Sequence, residues 1–475
     1  MRPNIVVLLS DEHGAQFSST YGHPSIATPA MDRMAAEGAT FDAAYCNNPL
    51  CVPSRLSFMT GRYTHNCRGW DNATPLPADA VTWPYLLRSQ GYEVVLSGKM
   101  HLVGADQLHG FERQLGRDLH ADLSIEPGRW SEPLPEAKAP WRGVVGKGHE
   151  ATGPGRTPEI DADDEAVDAA VRFIGERDPA DARPFALCVG IIAPHYPFVV
   201  PEPFFSQYWP EHADLPDLPP GHLDELPPAA QRLRSICGFW GHTDEQVRRA
   251  RAAYYGLVSY TDDKLRQLLD ALDGSGLAEN TVVVHTSDHG EMLGEHGLWR
   301  KMSFYEQSAR VPLQIRWPGQ ASAGRRVVEC VSLVDVTATL ADVAGVAADQ
   351  RQSLGLDGSS LAPVVAGEPG RDEAFVELTS HGTDRPRAML RRGTWKLCLS
   401  GGEPLEAELY DLDADPGEFV NLAGDLAAAD VESQMTEELL SRWDWRAIDE
   451  RIRQSQRERR LILDVAAHQG EPAPF

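Results

Sequence analysis

This 475-residue sequence has no apolar stretch that is long enough to cross a lipid bilayer. The first apolar run covers only residues 5–9. A run of that length is also too short for the core of a secretory signal followed by a cleavage site. The sequence therefore predicts neither a membrane anchor nor an export signal, and we expect no membrane partner.

Cysteine is scarce, and its number is odd. A complete disulfide framework is impossible with seven cysteines, and those present are scattered along the chain. Such a pattern is typical of reduced thiols in a reducing compartment. We therefore expect a cytoplasmic protein.

Basic residues are also in short supply. The sequence has 44 Lys and Arg residues against 70 Asp and Glu residues, which gives a formal net charge of −26. This balance argues against nucleic acid as a partner, because a phosphate backbone requires a basic surface. It does not exclude a small anionic substrate, because a local cluster of cations and a metal ion can outweigh the global charge.

Short apolar runs alternate with helical patterns over the first 370 residues. The runs at 5–9, 92–96, 185–192 and 281–286 are typical of buried parallel strands. Helices are predicted at residues 31–38, 163–176 and 255–272. The alternation predicts an α/β fold with a mostly parallel sheet between layers of helices.

The pattern changes near residue 370. Beyond it, short alternating segments predict a small antiparallel sheet, followed by a terminal helix at 434–461; the segments are 374–378, 387–391, 395–399 and 408–410. We therefore predict a catalytic domain at 1–370 and an α+β subdomain at 371–475. Two proline-rich stretches, 127–157 and 197–228, are predicted to be long surface loops over the site.

Acidic residues follow two of the predicted strands directly. Asp11 and Glu12 come after the first strand, and Asp288 and His289 come after the strand at 281–286. An isolated acid at such a position is usually a helix cap or a solvated turn. Because the carboxyl ends of parallel strands meet at one edge of a sheet, the two sets together predict a divalent-cation site.

The segment Cys51-Val52-Pro53-Ser54-Arg55 has the pattern Cys-x-Pro-x-Arg, which is expected to lie in a loop at a strand end. Enzymes that mature sulfatases recognise this pattern and oxidise the cysteine to formylglycine. A single match is weak, because short motifs recur by chance. Together with Asp11 and with Asp288-His289-Gly290, the sequence resembles the sulfatases of the alkaline phosphatase superfamily.

The resemblance implies an alkaline phosphatase-like fold and a formylglycine at Cys51, made by a formylglycine-generating enzyme. It also implies one divalent cation, bound by Asp11, Cys51, Asp288 and His289. Ca²⁺ is the expected ion, with Mg²⁺ and Mn²⁺ as alternatives. The reaction implied is hydrolysis of a small-molecule sulfate ester, and a homo-oligomer is expected.

Further residues take roles from the same resemblance. Lys99 and Arg55 match the residues that hold the formylglycine hydrate, and His101 matches the residue that handles its proton. His195 and Lys301 match residues beside the leaving group. Lys99 and His101 count against a phosphonate monoester hydrolase, in which these positions carry other residues.

Within the family, the segment Trp70-Asp71-Asn72 and the region around Lys99 and His101 resemble choline sulfatases. This likeness implies that Trp70, Asp71 and Asn72 contact substrate. Many sulfatases have a second aspartate after the first strand, whereas this chain has Glu12. The longer glutamate reaches either the metal or a substrate oxygen, and we assign it to substrate. Trp130 is a candidate cation–π face for a quaternary ammonium group.

Several alternatives stay open at this point. The alcohol part of the ester is either of aryl type or of choline type. A phosphonate or phosphate ester hydrolase of the same superfamily is one alternative to a sulfatase. A non-catalytic binding protein with the sulfatase fold is another.

Overall fold

The computed structural model of the chain describes residues 2–119, 152–237, 240–320 and 322–469. Trp130 and the first predicted loop up to residue 151 lie outside the described residues. No helix within the described ranges is long and apolar enough to span a membrane.

The strands and helices follow one another along the chain. The strands are β1 (Asn4–Asp11), β2 (Ala39–Tyr45), β3 (Glu93–Gly98), β4 (Arg113–Gln114), β5 (Gly153–Pro154), β6 (Phe185–Pro194), β7 (Val199–Val200), β8 (Thr281–Ser287), β9 (Leu313–Arg316), β10 (Arg325–Ser332), β11 (Glu373–Leu378), β12 (Arg387–Arg392), β13 (Trp395–Ser400) and β14 (Glu406–Asp411). The helices are α1 (Pro29–Glu37), α2 (Cys51–Thr60), α3 (Thr64–Cys67), α4 (Trp83–Ser89), α5 (Pro158–Gly175), α6 (Glu202–Phe205), α7 (Pro228–Cys237), α8 (Asp244–Gly274), α9 (Glu306–Ala309), α10 (Leu333–Val343), α11 (Ala348–Ser353), α12 (Ala362–Ala366), α13 (Ala429–Arg442) and α14 (Trp445–Gln469).

The main sheet has eight strands in the order β10-β2-β9-β8-β1-β6-β3-β4. Within this sheet β9 runs antiparallel to both of its neighbours, and the other pairings are parallel. Strand β1 is central: Ser10 lies opposite Ser287 of β8, and Asp11 lies opposite Pro194 of β6. The carboxyl ends of these three strands therefore meet at one edge of the sheet, as the sequence predicts.

The side chains of β1 alternate between the two faces of this sheet. Ile5, Val7 and Leu9 belong to a buried cluster that includes apolar residues of α2 and α10. Val6 and Leu8 belong to a second cluster, with apolar residues of α5 and the carboxyl-terminal half of α8. Burial on both faces explains why this strand is a continuous apolar run in the sequence.

The predicted α/β fold is confirmed, and the main differences concern the ends of the helices. The long helix α8 begins at Asp244 rather than at residue 255. The Thr243 side chain accepts a hydrogen bond from the backbone nitrogen of Gln246, and Gln246 bonds back to the Thr243 backbone. This capping box lies before the apolar stripe from which the helix was predicted.

The second sheet has the order β11-β12-β13-β14 and is antiparallel throughout, which confirms the predicted small antiparallel sheet. The single terminal helix predicted at 434–461 is wrong, because α13 and α14 are separate helices. Trp443 is extended and buried between them, and the Asp444 side chain accepts hydrogen bonds from the backbone nitrogens of Arg446 and Ala447. The predicted division of the chain into two domains at residue 370 stays a prediction.

The second predicted loop, residues 197–228, is more ordered than expected. It contains β7 and α6, and β7 pairs with β5. The Tyr208 side chain is buried, and its hydroxyl lies 2.5 Å from Ser259 Oγ of α8. Aromatic anchors of this kind hold the segment against the main domain.

Candidate active site

Cys51 is the first residue of α2 and does not lie in a loop. Its neighbour Val52 donates a backbone hydrogen bond to Asn72 Oδ1 at 3.0 Å. The Asn72 side chain therefore satisfies one of the amides that the start of a helix leaves unpaired. This contact fixes the helix end that carries Cys51, and Leu50 makes no side-chain cap there.

Four predicted metal ligands come together at this helix end. Asp11, Cys51, Asp288 and His289 are buried, and each offers a ligand atom within 4.8 Å of the others. The Sγ of Cys51 lies 3.2 Å from His289 Nε2 and 3.8 Å from Asp11 Oδ1. Two carboxylates and one imidazole from two adjacent strand ends could therefore hold one cation.

Backbone groups hold two of these ligands in place. Asp288 Oδ1 accepts hydrogen bonds from the backbone nitrogens of His289, at 2.9 Å, and Glu12, at 3.2 Å. The Nδ1 of His289 lies 3.0 Å from the carbonyl oxygen of Gly290 and donates to it. This bond directs Nε2 toward the other ligands, as in most metal-bound histidines.

Two buried cations bind the same carboxylates. Arg55 donates from Nε to Asp288 Oδ2 at 2.7 Å and from Nη2 to Asp11 Oδ2 at 3.1 Å. The Nζ of Lys99 lies 2.6 Å from Asp11 Oδ2. A further bond from Arg55 Nη1 to the carbonyl oxygen of Lys99 ties β3 to α2. Arg55 and Lys99 therefore meet at Asp11, which lies 3.8 Å from the Cys51 Sγ, and their role toward a formylglycine hydrate stays a prediction.

Glu12 joins the two predicted leaving-group residues. Its Oε2 lies 3.0 Å from His195 Nε2 and 3.0 Å from Lys301 Nζ. Glu12 has a φ of 68°, a left-handed conformation that non-glycine residues seldom adopt. The Glu12 side chain therefore lies between His195 and Lys301, and its assignment to substrate stays a prediction.

His101 also lies beside Cys51 and has a left-handed φ of 56°. It is buried, and burial lowers the pKa of its imidazole, while a hydrogen bond with Cys51 acts in the opposite direction. The backbone nitrogens of Met100 and His101 both donate to Asp118 Oδ2, at 2.8 and 2.6 Å. The Asp118 carboxylate thus holds the turn that follows β3.

Charges at the cluster shift the pKa values of its ligands. Burial raises the pKa of Asp11, but Lys99, His195, Arg55 and other cations outweigh it, so the pKa lies well below its usual value. Burial raises the pKa of Asp288 to about 6, with Arg55 opposing the shift and Asp11 adding to it. Arg55 therefore offsets only part of the cost of burying the charged Asp288 carboxylate.

The His289 and Cys51 side chains are shifted as well. Burial lowers the pKa of His289, but the Asp288 carboxylate raises it to about 9, so metal binding at Nε2 must displace a proton. Burial and Asp11 raise the pKa of the Cys51 thiol, but Lys301, His289 and a hydrogen bond from His101 hold it well below its usual value. Position 51 is thus electropositive, which suits an anionic oxygen.

Trp70 and Asp71 contact arginines of α14. Arg459 donates from Nη1 and Nη2 to the two Asp71 carboxylate oxygens at 2.6 and 2.7 Å. The guanidinium carbon of Arg451 lies 5.3 Å from the centre of the Trp70 ring. Substrate binding by Trp70, Asp71 and Asn72 stays a prediction.

Three buried residues of this region were not predicted from the sequence. Glu291 lies beside Glu12, and burial and that neighbour raise its pKa well above the usual value. His381 is close enough to Asp71 and Cys51 for both charges to affect its pKa, which burial lowers to about 4. Arg459 lies 388 positions from its partner Asp71. No local pattern connects residues so distant in the chain.

Comparisons with known proteins show the family to which the chain belongs. Residues 3–346 match the family model described as Sulfatase, and residues 294–444 match the model described as N-sulphoglucosamine sulphohydrolase, C-terminal. The chain is 34% identical over 489 residues to a choline-sulfatase of Rhizobium meliloti (strain 1021), covering 100% of this chain and 93% of the relative. It is 30% identical over 447 residues to arylsulfatase K of Rattus norvegicus, covering 89% and 75%.

Solved structures share the fold. A protein in complex with its substrate D-glucosamine-2-N,6-O-disulfate superposes with a TM-score of 0.73 at 24% identity, covering 96% of this chain and 99% of that one. The phosphonate monoester hydrolase of Agrobacterium radiobacter superposes with a TM-score of 0.72 at 25% identity, covering 96% of each chain. The family match spans most of the main domain and contains the entire cluster around Cys51, and the chain belongs to the sulfatase family.

Proposed function

We propose that this sulfatase is a formylglycine-dependent hydrolase of small-molecule sulfate esters of aryl or choline type. The observation that carries the proposal is the position of Cys51. Its Sγ lies 3.2 Å from His289 and 3.8 Å from Asp11, at the start of a helix that also carries Arg55. The cationic side chains of Lys301, His289 and Arg55 near Cys51 suit an anionic sulfuryl group at this position.

A divalent cation fits the cluster of Asp11, Asp288, His289 and the side chain of residue 51. Hard cations such as Ca²⁺ take oxygen ligands, and the carboxylate of Asp288 carries charge that such an ion would neutralise. We propose Ca²⁺, with Mg²⁺ and Mn²⁺ as alternatives. When bound, the ion supplies Lewis-acid stabilisation of charge on the sulfate oxygens.

The proposed modification explains why a cysteine lies among ligands suited to hard cations. Once hydrated, formylglycine at position 51 supplies an oxygen nucleophile and releases sulfate when the aldehyde forms again. Arg55 and Lys99 hold the hydrate, and His101 accepts its proton. The low pKa of the buried His101 imidazole favours the neutral form, which can take up that proton. A formylglycine-generating enzyme is the expected maturation partner.

His195 and Lys301 are proposed to assist the departing alcohol. Both contact the same carboxylate oxygen of Glu12, which keeps their polar ends close together and next to Asp11. Burial lowers the pKa of Lys301, but Cys51, Glu12 and Asp11 raise it above its usual value, so its ammonium group stays charged. A fixed positive charge stabilises the oxygen that leaves, and an imidazole can protonate it.

A phosphonate monoester hydrolase is the second candidate, since one such enzyme shares the fold and 25% of aligned residues. The residues Lys99 and His101 favour the sulfatase reaction. A non-catalytic binding protein is disfavoured by the intact segment from Cys51 to Arg55. Turnover measurements on the same sample decide between these candidates.

The test combines intact mass with a substrate screen. Conversion of cysteine to formylglycine lowers the mass by about 18 Da. The modified protein should hydrolyse at least one of 4-nitrophenyl sulfate, choline sulfate and a sugar sulfate faster than a phosphonate monoester. It should also contain about one divalent ion per chain. Faster turnover of the phosphonate, or no turnover by fully modified protein, would overturn the proposal.

We further propose a cytoplasmic location and a homo-oligomeric state. All seven cysteines are free and buried, which is consistent with a reducing compartment. Fractionation and light scattering test these two proposals directly. Recovery of the protein outside the cytoplasm, or a monomer at all concentrations, would contradict them.

A further inference from the structure

The chain neighbours of the two leaving-group residues contact each other. Tyr196 directly follows His195 in the segment after β6, and Arg300 directly precedes Lys301 in the segment after β8. The guanidinium carbon of Arg300 lies 3.8 Å from the centre of the Tyr196 ring. This distance is well within the range of about 6 Å over which a cation and an aromatic ring attract each other. Segments from two different strand ends are therefore joined beside His195 and Lys301.

The Tyr196 ring also lies against the imidazole of His195. The two ring centres are 4.3 Å apart, and the ring planes differ by 29°. The Nδ1 of His195 donates a hydrogen bond to the carbonyl oxygen of Tyr196 at 2.6 Å. A stacked ring and a bonded Nδ1 together leave the imidazole little freedom to turn. They direct Nε2 toward Glu12 Oε2, which lies 3.0 Å away.

The backbone of Arg300 is held from both of its polar groups. Its nitrogen donates to Glu291 Oε1 at 2.5 Å, and its carbonyl oxygen accepts from the backbone nitrogen of Met292 at 2.6 Å. Arg300 and Met302, on either side of Lys301, have left-handed φ values of 65° and 74°. Such values persist where the surrounding structure enforces them. The turn that presents Arg300 and Lys301 is therefore fixed.

The two segments are connected twice. Within the site, Glu12 Oε2 contacts both His195 and Lys301. Nearer the surface, the half-buried side chains of Tyr196 and Arg300 contact each other. A carboxylate oxygen sets the distance to two cationic groups, but it does not set the plane of an imidazole ring. The stack on Tyr196 supplies that orientation.

We propose that Tyr196 and Arg300 are positioning residues for the departure of the alcohol. Tyr196 holds the plane of the His195 ring, and Arg300 holds Tyr196 in place and couples it to Lys301. The pair thus keeps the imidazole and the ammonium group directed at the same leaving oxygen. This inference rests on the proposed function, in which both groups assist that oxygen.

The test uses two esters and full-length, formylglycine-containing protein, with rates expressed per formylglycine from the intact mass. The esters are 4-nitrophenyl sulfate, whose phenol departs with little help, and an alkyl sulfate, whose alcohol needs much. The variants are Tyr196→Leu, Tyr196→Phe, Arg300→Gln and the double variant Tyr196→Leu/Arg300→Gln. His195→Ala is the reference. Arg446→Gln is the matched control, because this exposed arginine of α14 lies 4.6 Å from the centre of the Trp445 ring.

Tyr196→Leu and Arg300→Gln should each lower kcat/KM for the alkyl sulfate about tenfold, and that for 4-nitrophenyl sulfate by no more than about twofold. A misdirected imidazole slows chiefly the reaction that depends on it. Tyr196→Phe keeps the ring and should retain the rates of the wild type. The double variant should lose no more than the worse single variant, because both substitutions remove the same contact. Arg446→Gln should match the wild type.

The reference variant separates failure of this inference from failure of the proposed function. If His195→Ala acts mainly on the alkyl sulfate, equal losses for both esters in Tyr196→Leu or Arg300→Gln would overturn the inference alone. A loss in Tyr196→Phe as large as in Tyr196→Leu would do the same, because the ring would then have no role. If His195→Ala slows both esters equally, the proposed role of His195 fails, and the inference fails with it.

Discussion

Cys51 differs from the other cysteines in its surroundings. Burial is the largest effect on Cys46, Cys188 and Cys398, and it raises the pKa of each thiol. Nearby cations instead hold the pKa of Cys51 well below its usual value. A buried thiol without such neighbours behaves as a small apolar group. The environment of residue 51 is therefore built for a negatively charged atom.

Cys51→Ala should abolish sulfate hydrolysis, a loss of several orders of magnitude in kcat, while the thermal unfolding midpoint changes by only a few degrees. This substitution removes the nucleophile but changes the packing of the core only slightly. Cys51→Ser should be nearly as inactive, because a serine hydroxyl cannot release sulfate by forming an aldehyde. Cys398→Ala, a buried cysteine of β13, is the matched control and should retain activity. Near-normal turnover by Cys51→Ala would disprove the mechanism.

Lys301 and His195 should matter most for poor leaving groups. In Lys301→Ala and His195→Ala the rate should depend more steeply on the pKa of the alcohol, because an acidic phenol departs with little help. The measurement is kcat/KM for a series of substituted phenyl sulfates and one alkyl sulfate. We expect a loss of about tenfold for 4-nitrophenyl sulfate and at least 100-fold for the alkyl ester, within the range of acid–base catalysis. An equal loss across the series would mean that these residues only position the ester.

The ligands of the site could be predicted from sequence because each follows a strand or a short motif. Asp11 and Asp288 come directly after apolar runs, and Cys51 lies in a five-residue pattern. Arg459 and His381 could not be found in this way. Arg459 binds Asp71, and His381 comes within range of the Asp71 charge, only when α14 and the loop after β11 fold against the main domain.

At the scale of elements, two glycines allow β3 and β6 to approach each other at the site. Gly98 lies opposite Gly190, and a Cβ at Gly190 would lie 1.7 Å from the carbonyl oxygen of Lys99. Lys99 donates its backbone hydrogen bond to Gly190 at 2.8 Å. The close approach of these backbones therefore fixes the position of Lys99 relative to Asp11.

Gly190→Ala should displace the end of β3 and with it Lys99. We expect destabilisation of about 1–3 kcal/mol, typical of overpacking, together with a fall in kcat of at least tenfold. Urea unfolding and steady-state kinetics measure the two effects. Gly175→Ala is the matched control, since a Cβ there meets no atom within 4 Å. Unchanged kcat in a folded Gly190→Ala protein would contradict this role of the glycine pair.

The strands were easier to predict than the helix ends. Apolar runs identify β1, β3, β6 and β8 because both faces of the sheet are covered. The short helix α2 has no such signal: all ten of its residues are buried, so it shows no polar face. The break between α13 and α14 depends on the buried Trp443 and the capping Asp444, which interrupt an otherwise helical pattern.

At the scale of the whole molecule, a largely buried pair connects α3 with the second sheet. The Nδ1 of His65 in α3 is 2.9 Å from Glu377 Oε2 of β11. The His65 side chain is 17% exposed and that of Glu377 is 1% exposed. Burial lowers the pKa of His65, but the effect of Glu377 is in the opposite direction and prevails. The pKa of His65 in the folded state is therefore above the ordinary value of 6.5.

This pair makes stability depend on pH. A pKa that is raised in the folded state contributes stability fully below pH 6.5, and the contribution is lost as the pH rises through the folded pKa. His65→Gln should therefore cost about 1.5–3 kcal/mol at pH 6 and clearly less at pH 9. Urea unfolding at both pH values measures this difference. His468→Gln, an exposed control, should show neither loss. An equal loss at both pH values would exclude a charged His65.

The burial of Cys51 also sets an order of events in time. In the folded chain Cys51 is 2% exposed and Arg55 is 0% exposed. A maturing enzyme therefore cannot bind the segment that it must recognise. On the proposed function, oxidation and folding compete for each newly made chain. A chain that folds first is stable, correctly shaped and permanently inert. The active fraction of a preparation is then decided during synthesis, and variants that fold faster should yield less active enzyme.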